Sequence, residues 1–138
     1  MSSTPVEIRR DGSHRFTARN DRGGEVAIGR DDAPEAFTPG ELLLAAIAGC
    51  SAVTTENLLV RRVGEDAELV VHADRDKDPE DPHKFSSVRV SFDVDLSGME
   101  DDSERDRLID AAERAVARFC TVSRSVEEGT PINLHIPG

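Results

Sequence analysis

One stretch, Thr38 to Gly64, limits what this chain can fold into: TPGELLLAAIAGCSAVTTENLLVRRVG. Thr38 is a good N-cap, Pro39 suits the first helical position, and Glu41, three residues on, completes a capping box. Gly64 supplies the stop, with Arg61 and Arg62 in the last turn, where cations complement the carbonyl end. From Leu42 to Val53 the residues are apolar almost all round, interrupted only by Gly49 and Ser51. A helix of that kind is buried on most sides. At about 24 residues it would reach roughly 36 Å, the width of a small domain. One small sheet cannot cover it, so a second copy of the chain is expected as a partner. Cys50 lies in its middle.

The remainder of the chain is poor in core material. Only 37% of its residues are hydrophobic and 33% are charged, so the core must be concentrated in few elements, the central helix first. Its 138 residues fit a single domain, 1–138. A net charge of −11 repels nucleic acid and anionic membrane, and a chain with no Trp or Tyr offers little for base stacking. No apolar run follows Met1, and the apolar part of the central helix is short and rich in Ala and Gly for a membrane span. The expectation is a cytoplasmic protein with neither nucleic acid nor membrane as partner. Two cysteines in that compartment are not expected to form a structural staple.

In order along the chain, Val6 to Arg10 suits a strand, Asp11-Gly12 a hairpin turn, and His14 to Arg19 the partner strand. Asn20 to Gly24 is a second turn and Glu25 to Gly29 a third strand. Arg30 to Phe37 is a loop into the helix cap. Beyond Gly64, Ala67 to Asp74 reads as a strand, and the polar Asp76 to Lys84, with two prolines, as an exposed loop or hairpin tip. From Phe85 to Leu96 apolar and polar residues alternate, which predicts a long strand with one buried face. Ser103 can cap a second helix, in which Leu108, Ala112, Ala115, Val116 and Phe119 recur at helical spacing. Thr121 to Glu128 suits a short helix and Ile132 to Ile136 a final strand. The order β-β-β-α-β-β-α-α-β is that of an α+β fold.

The residues that can carry chemistry are Cys50, Cys120 and one or more arginines. A thiolate attacks peroxides, and a second thiol can resolve the oxidised sulfur as a disulfide. The alternative is that each cysteine is a small buried hydrophobe. His14, His72, His83 and His135 are scattered without ligand spacing, so no metal or cofactor is expected. Glu41 has a sufficient structural task in the capping box.

These motifs carry a family resemblance. TPGELLLAAIAGCSAV resembles the cysteine-bearing helix of the OsmC/Ohr family of thiol-dependent peroxide reductases, and FCTVSRSVEEGTPINL resembles that family's second cysteine motif. The resemblance runs from about residue 6 to the end. It implies the OsmC-like α+β fold, an intertwined homodimer with two central helices packed together, and active sites at the dimer interface. By the same resemblance Cys50 is the peroxidatic cysteine and Cys120 the resolving one, organic hydroperoxides are the substrates, and a dithiol restores both thiols. The family's catalytic arginine falls at Arg15, with Arg19 close enough to compete. The sequence departs from the pattern where Gly40 follows Pro39 in place of a glutamate, with Glu41 one position later, and where Thr121 follows Cys120 in place of proline. One residue is about 100° around a helix, so Glu41 points elsewhere than a residue at 40. A non-catalytic dimer that senses redox state or binds an apolar small molecule is the competing expectation.

Overall fold

The computed structural model describes residues 5–137. The chain divides after Leu44 into two compact units. In the first, β1 (Glu7–Gly12), β2 (Arg15–Arg19) and β3 (Glu25–Gly29) form an antiparallel sheet in the order β1-β2-β3. The first hairpin turns at Ser13-His14, not at Asp11-Gly12, with His14 at φ 61°. A register shift between Arg10 and Gly12 sets Asp11 aside, and its carboxylate accepts from the Thr17 hydroxyl. The extra residue carries the strand past the expected turn. The second turn is as expected: Asn20 Oδ1 accepts from the N–H groups of Arg22 and Gly24, at 3.0 and 2.8 Å. The loop after β3 returns to that strand, where Phe37 N–H donates to Ala27 O at 2.9 Å and Gly29 N–H to Phe37 O at 3.0 Å.

The central helix, α1, spans Pro39–Val63. Its capping box forms as the sequence dictates. Glu41 N–H donates to Thr38 Oγ1 at 3.1 Å, and Thr38 N–H donates to Glu41 Oε1 at 2.8 Å. Gly64, at φ 101°, closes the other end. Replacing Thr38 with Ala should lower the free energy of unfolding by about 1 kcal/mol, measured by urea denaturation, because one helical N–H loses its acceptor. No change there would show that the cap is redundant.

The helix is unevenly covered. Leu44, Ile47, Ala48, Ser51, Thr55 and Leu59 are buried, at helical spacing. On another face Leu43, Ala46, Gly49 and Val53 are exposed, Val53 by 78%. By length and composition alone α1 could cross a membrane, a test that the core helix of a soluble protein passes as well.

In the second unit β4 (Leu69–Asp78) and β5 (Asp81–Val94) form one long antiparallel hairpin. Both strands run farther into the polar segment than the sequence suggests, leaving Pro79-Glu80 as the turn. Ion pairs extend the ladder there. Arg89 bonds both Asp74 and Asp76 across the strands. The Arg75 backbone N–H and Arg89 hold the Asp74 carboxyl below its ordinary range; Arg89 and Ser87 do the same for Asp76. The pairing is complete above the ordinary carboxylate range and is lost as pH falls through the depressed values.

Helix α2 spans Asp102–Phe119 and α3 spans Thr121–Glu127. The cap of α2 is Asp101, not Ser103: its carboxylate accepts from Ser103 N–H at 2.9 Å. Leu59, Met99 and Leu108 form the buried centre of this unit, with Leu58, Leu69 and Leu96 against it. The expected last strand at Ile132–Ile136 is absent. After Gly129 the described residues pair with no ladder, and Ile132, Leu134 and Ile136 are 93%, 83% and 75% exposed. The alternation suits a strand, but a strand needs a neighbouring edge to bond, and this segment meets none.

Candidate functional site

Cys50 and Cys120 both belong to the second unit, and neither is in a disulfide. Cys50 is half-buried on α1, on the turn that also carries Ser51. Cys120 joins α2 to α3 and is fully buried. Its N–H donates to Val116 O at 3.0 Å, and its carbonyl accepts from Arg124 N–H at 3.0 Å. The backbone is therefore held by both helices, and the thiol is held in turn.

The surroundings of Cys120 are polar at close range. Its Sγ lies 3.2 Å from Ser123 Oγ, one turn along α3. The Cys50 thiol and the Ser51 hydroxyl come near it from α1 and favour its thiolate form. Burial pushes the Cys120 thiol up, but Ser123, Cys50 and Ser51 together outweigh it and bring the thiol below its ordinary value. The structure thus brings the two sequence-predicted cysteines close to each other and adds Ser51 and Ser123, neither of which the sequence reading named as a site residue. Their spacing was the available signal: Ser51 adjoins Cys50, and Ser123 stands three residues after Cys120 on a helix.

From Ser51 an apolar groove of about 510 Å³ opens between α1, α2 and β5. Thr55, Leu59, Phe92, Leu96, Ile109 and Val116 line its walls, with Glu113 and Glu127 as its carboxylates. Thr55 is fully buried and donates its hydroxyl to Ser51 O at 2.9 Å, so it turns inward without an unmet bond. Gly49, one residue before Cys50, has open space where a Cβ would stand. Among the described residues no three His, Cys, Asp or Glu side chains converge as metal ligands.

The other predicted residues belong to the first unit. Arg15, on β2, donates from Nη1 to Pro34 O at 3.3 Å. Arg19 is engaged by the Glu25 carboxylate at 2.9 Å. Glu41 has its carboxylate on the Thr38 N–H, as the capping box requires.

Comparison with known proteins now adds to this geometry. The model of the family described as OsmC-like protein matches residues 29–135. An uncharacterized protein of Mycobacterium tuberculosis is 37% identical over 137 residues, covering 96% of each chain. In fold the chain is similar to an OsmC-like protein of Mycoplasma pneumoniae, with a TM-score of 0.64 at 14% identity over 94% of this chain and 91% of that one. It is also similar to the organic hydroperoxide resistance protein OhrB of Bacillus subtilis, with a TM-score of 0.53 at 22% identity over 90% and 91% of the two chains. A family match over most of the length, and a relative that aligns with nearly all of it, establish that this chain belongs to the OsmC-like protein family.

Proposed function

We propose that the chain is a cysteine-based reductase of organic hydroperoxides, acting as a cytoplasmic homodimer in peroxide detoxification and the oxidative stress response. The observation that carries this is the meeting of a half-buried Cys50 with the buried, hydrogen-bonded thiol of Cys120. Family membership supports a peroxide-related stress function.

The chemistry runs in two steps. The Cys50 thiolate attacks the terminal oxygen of ROOH; the O–O bond breaks, Cys50 becomes a sulfenic acid, and an alkoxide leaves and takes a proton from water. Cys120 then attacks the sulfenic sulfur, an S–S bond forms, and hydroxide departs. A dithiol reductant returns both thiols by exchange. A cation beside Cys50 would orient the peroxide, as the family resemblance implies. We assign it to Arg15, with Arg19, which pairs with Glu25 at 2.9 Å, as the second choice. Arg15 would also stabilise the charge that develops on the leaving oxygen. Glu41 is a helix-capping residue in this reading.

The test is consumption of cumene hydroperoxide with a dithiol reductant by wild type and Arg15→Met. Wild type should turn over. Loss of the guanidinium should lower kcat/KM by roughly a hundredfold or more, the scale of one lost electrostatic donor. Equal rates would remove Arg15 from the mechanism, and no turnover by wild type would remove the enzyme reading. The apolar groove favours a second reading, a dimeric module that binds an apolar small molecule or senses redox state without turnover.

A further inference from the structure

We propose that Ser123 is a positioning residue for Cys120, which holds the resolving sulfur ready for attack on an oxidised Cys50. The inference rests on the hydroperoxide reductase reading for its consequence, but not for its geometry.

A fully buried sulfur that must become an anion needs donors, since burial alone favours the neutral thiol. Ser123 supplies one, with Oγ 3.2 Å from Sγ. The sulfur sits at the N-cap of α3, and within that turn the Ser123 hydroxyl is in hydrogen-bond contact with it, while the Ser123 N–H also favours the thiolate. A hydroxyl both accepts and donates. It accepts the S–H while Cys120 is a thiol and donates its O–H once Cys120 is a thiolate, so the contact survives the change of state. Ser51, 3% exposed, approaches from α1. The Ser123 hydroxyl is thus the one in hydrogen-bond contact with the sulfur, with Ser51 near it from the other helix.

Charged groups nearby are engaged elsewhere. Arg124 of α3 donates to Arg118 O at 3.4 Å and approaches Glu128 at 4.0 Å. Arg118 of α2 lies over the Phe119 ring, 5.2 Å from its centroid. From α1 the titratable group that faces Cys120 is Cys50 itself. The hydrogen bonds, not a neighbouring cation, outweigh burial at this thiol.

In the resolving step the Cys120 thiolate supplies the electron pair for the new S–S bond. The S–O bond of the Cys50 sulfenic acid breaks, and hydroxide leaves and is protonated by solvent. Cys120 is oxidised and the sulfenic sulfur is reduced. Losing one hydrogen bond to the attacking anion should slow this step without touching the first.

The experiment titrates the single thiol of Cys50→Ser by its ultraviolet thiolate absorbance, with circular dichroism to confirm folding, and repeats it with Ser123→Ala and Ser123→Thr added. Alanine should move the midpoint upward, and threonine, which keeps the hydroxyl, should restore it. An unmoved midpoint with alanine, or no restoration by threonine, overturns the proposal. In the otherwise wild-type chain, one dose of cumene hydroperoxide should give Cys50 sulfenic acid at an unchanged rate. Disulfide should then form roughly tenfold more slowly in Ser123→Ala at neutral pH, the effect of one hydrogen bond to a charged group. Equal disulfide rates count against Ser123. If wild type forms no disulfide at all, the reductase reading fails, while the titration still decides the role of Ser123.

Discussion

Cys50→Ser should lose its first turnover with an organic hydroperoxide, and consumption should fall to the rate seen without protein. A serine hydroxyl with no base beside it is far too weak a nucleophile to replace a thiolate. Cys120→Ser should differ. The half-buried Cys50 still attacks, so one equivalent of peroxide is consumed and a sulfenic acid accumulates that dimedone traps. Without a resolving thiol the variant then fails to cycle. Mass spectrometry after a single dose reads both outcomes: no dimedone adduct in the first variant, one adduct at Cys50 in the second. Unimpaired consumption by Cys50→Ser would refute the reductase reading. Identical loss in both variants at the first turnover would refute only the assignment of roles.

The second large effect is expected at Val53. Light scattering at micromolar concentration should give twice the 15.0 kDa of one chain, because the stripe Leu43, Ala46, Gly49 and Val53 leaves apolar helix surface uncovered. Val53 is the most exposed of these, and by two-fold symmetry it would meet the corresponding stripe of the second copy. Val53→Glu should bring a carboxylate from each copy into that contact. Burying unpaired charge costs several kcal/mol, and about 4 kcal/mol weakens association roughly a thousandfold. The variant should run as a monomer, and peroxide turnover should fall with it if the active site is shared. A wild-type monomer would overturn the assembly. A dimeric Val53→Glu would move the interface elsewhere.

The central helix was legible because its signals are local. Thr38, Glu41 and Gly64 act within four residues of themselves, and their chemistry does not depend on the rest of the fold. The third strand and the helices on either side of Cys120 follow from the same kind of evidence. Longer-range features were less legible. The β4–β5 hairpin runs into a segment whose prolines and carboxylates read as loop, because Arg89 stabilises it across the ladder from thirteen to fifteen residues away. The turn at Ser13-His14 depends on a register shift that no composition signals. The sequence pattern at Ile132–Ile136 is that of a strand, but pattern cannot supply the edge it needs. At the site, the cysteines announce themselves by type, whereas Ser51 and Ser123 matter only because the fold turns them toward one sulfur.

The two-stranded hairpin has a colloidal consequence. Within it β4 and β5 each have one bonded neighbour, so each leaves an outer row of backbone groups among the described residues. The same chain carries an exposed, alternating apolar segment at Ile132, Leu134 and Ile136. An open edge and an exposed, unpaired apolar segment together are the ingredients of chain-to-chain addition without limit. The carboxylates and arginines along the hairpin act as gatekeepers, and a net charge of −11 keeps separate molecules apart. Acidification toward pH 4.7, where that charge vanishes, removes the long-range barrier while Asp74 and Asp76, held below the ordinary carboxylate range, still pair with Arg89. Turbidity of the purified protein is therefore expected to rise as pH approaches 4.7, and concentrated salt narrows the same margin by screening.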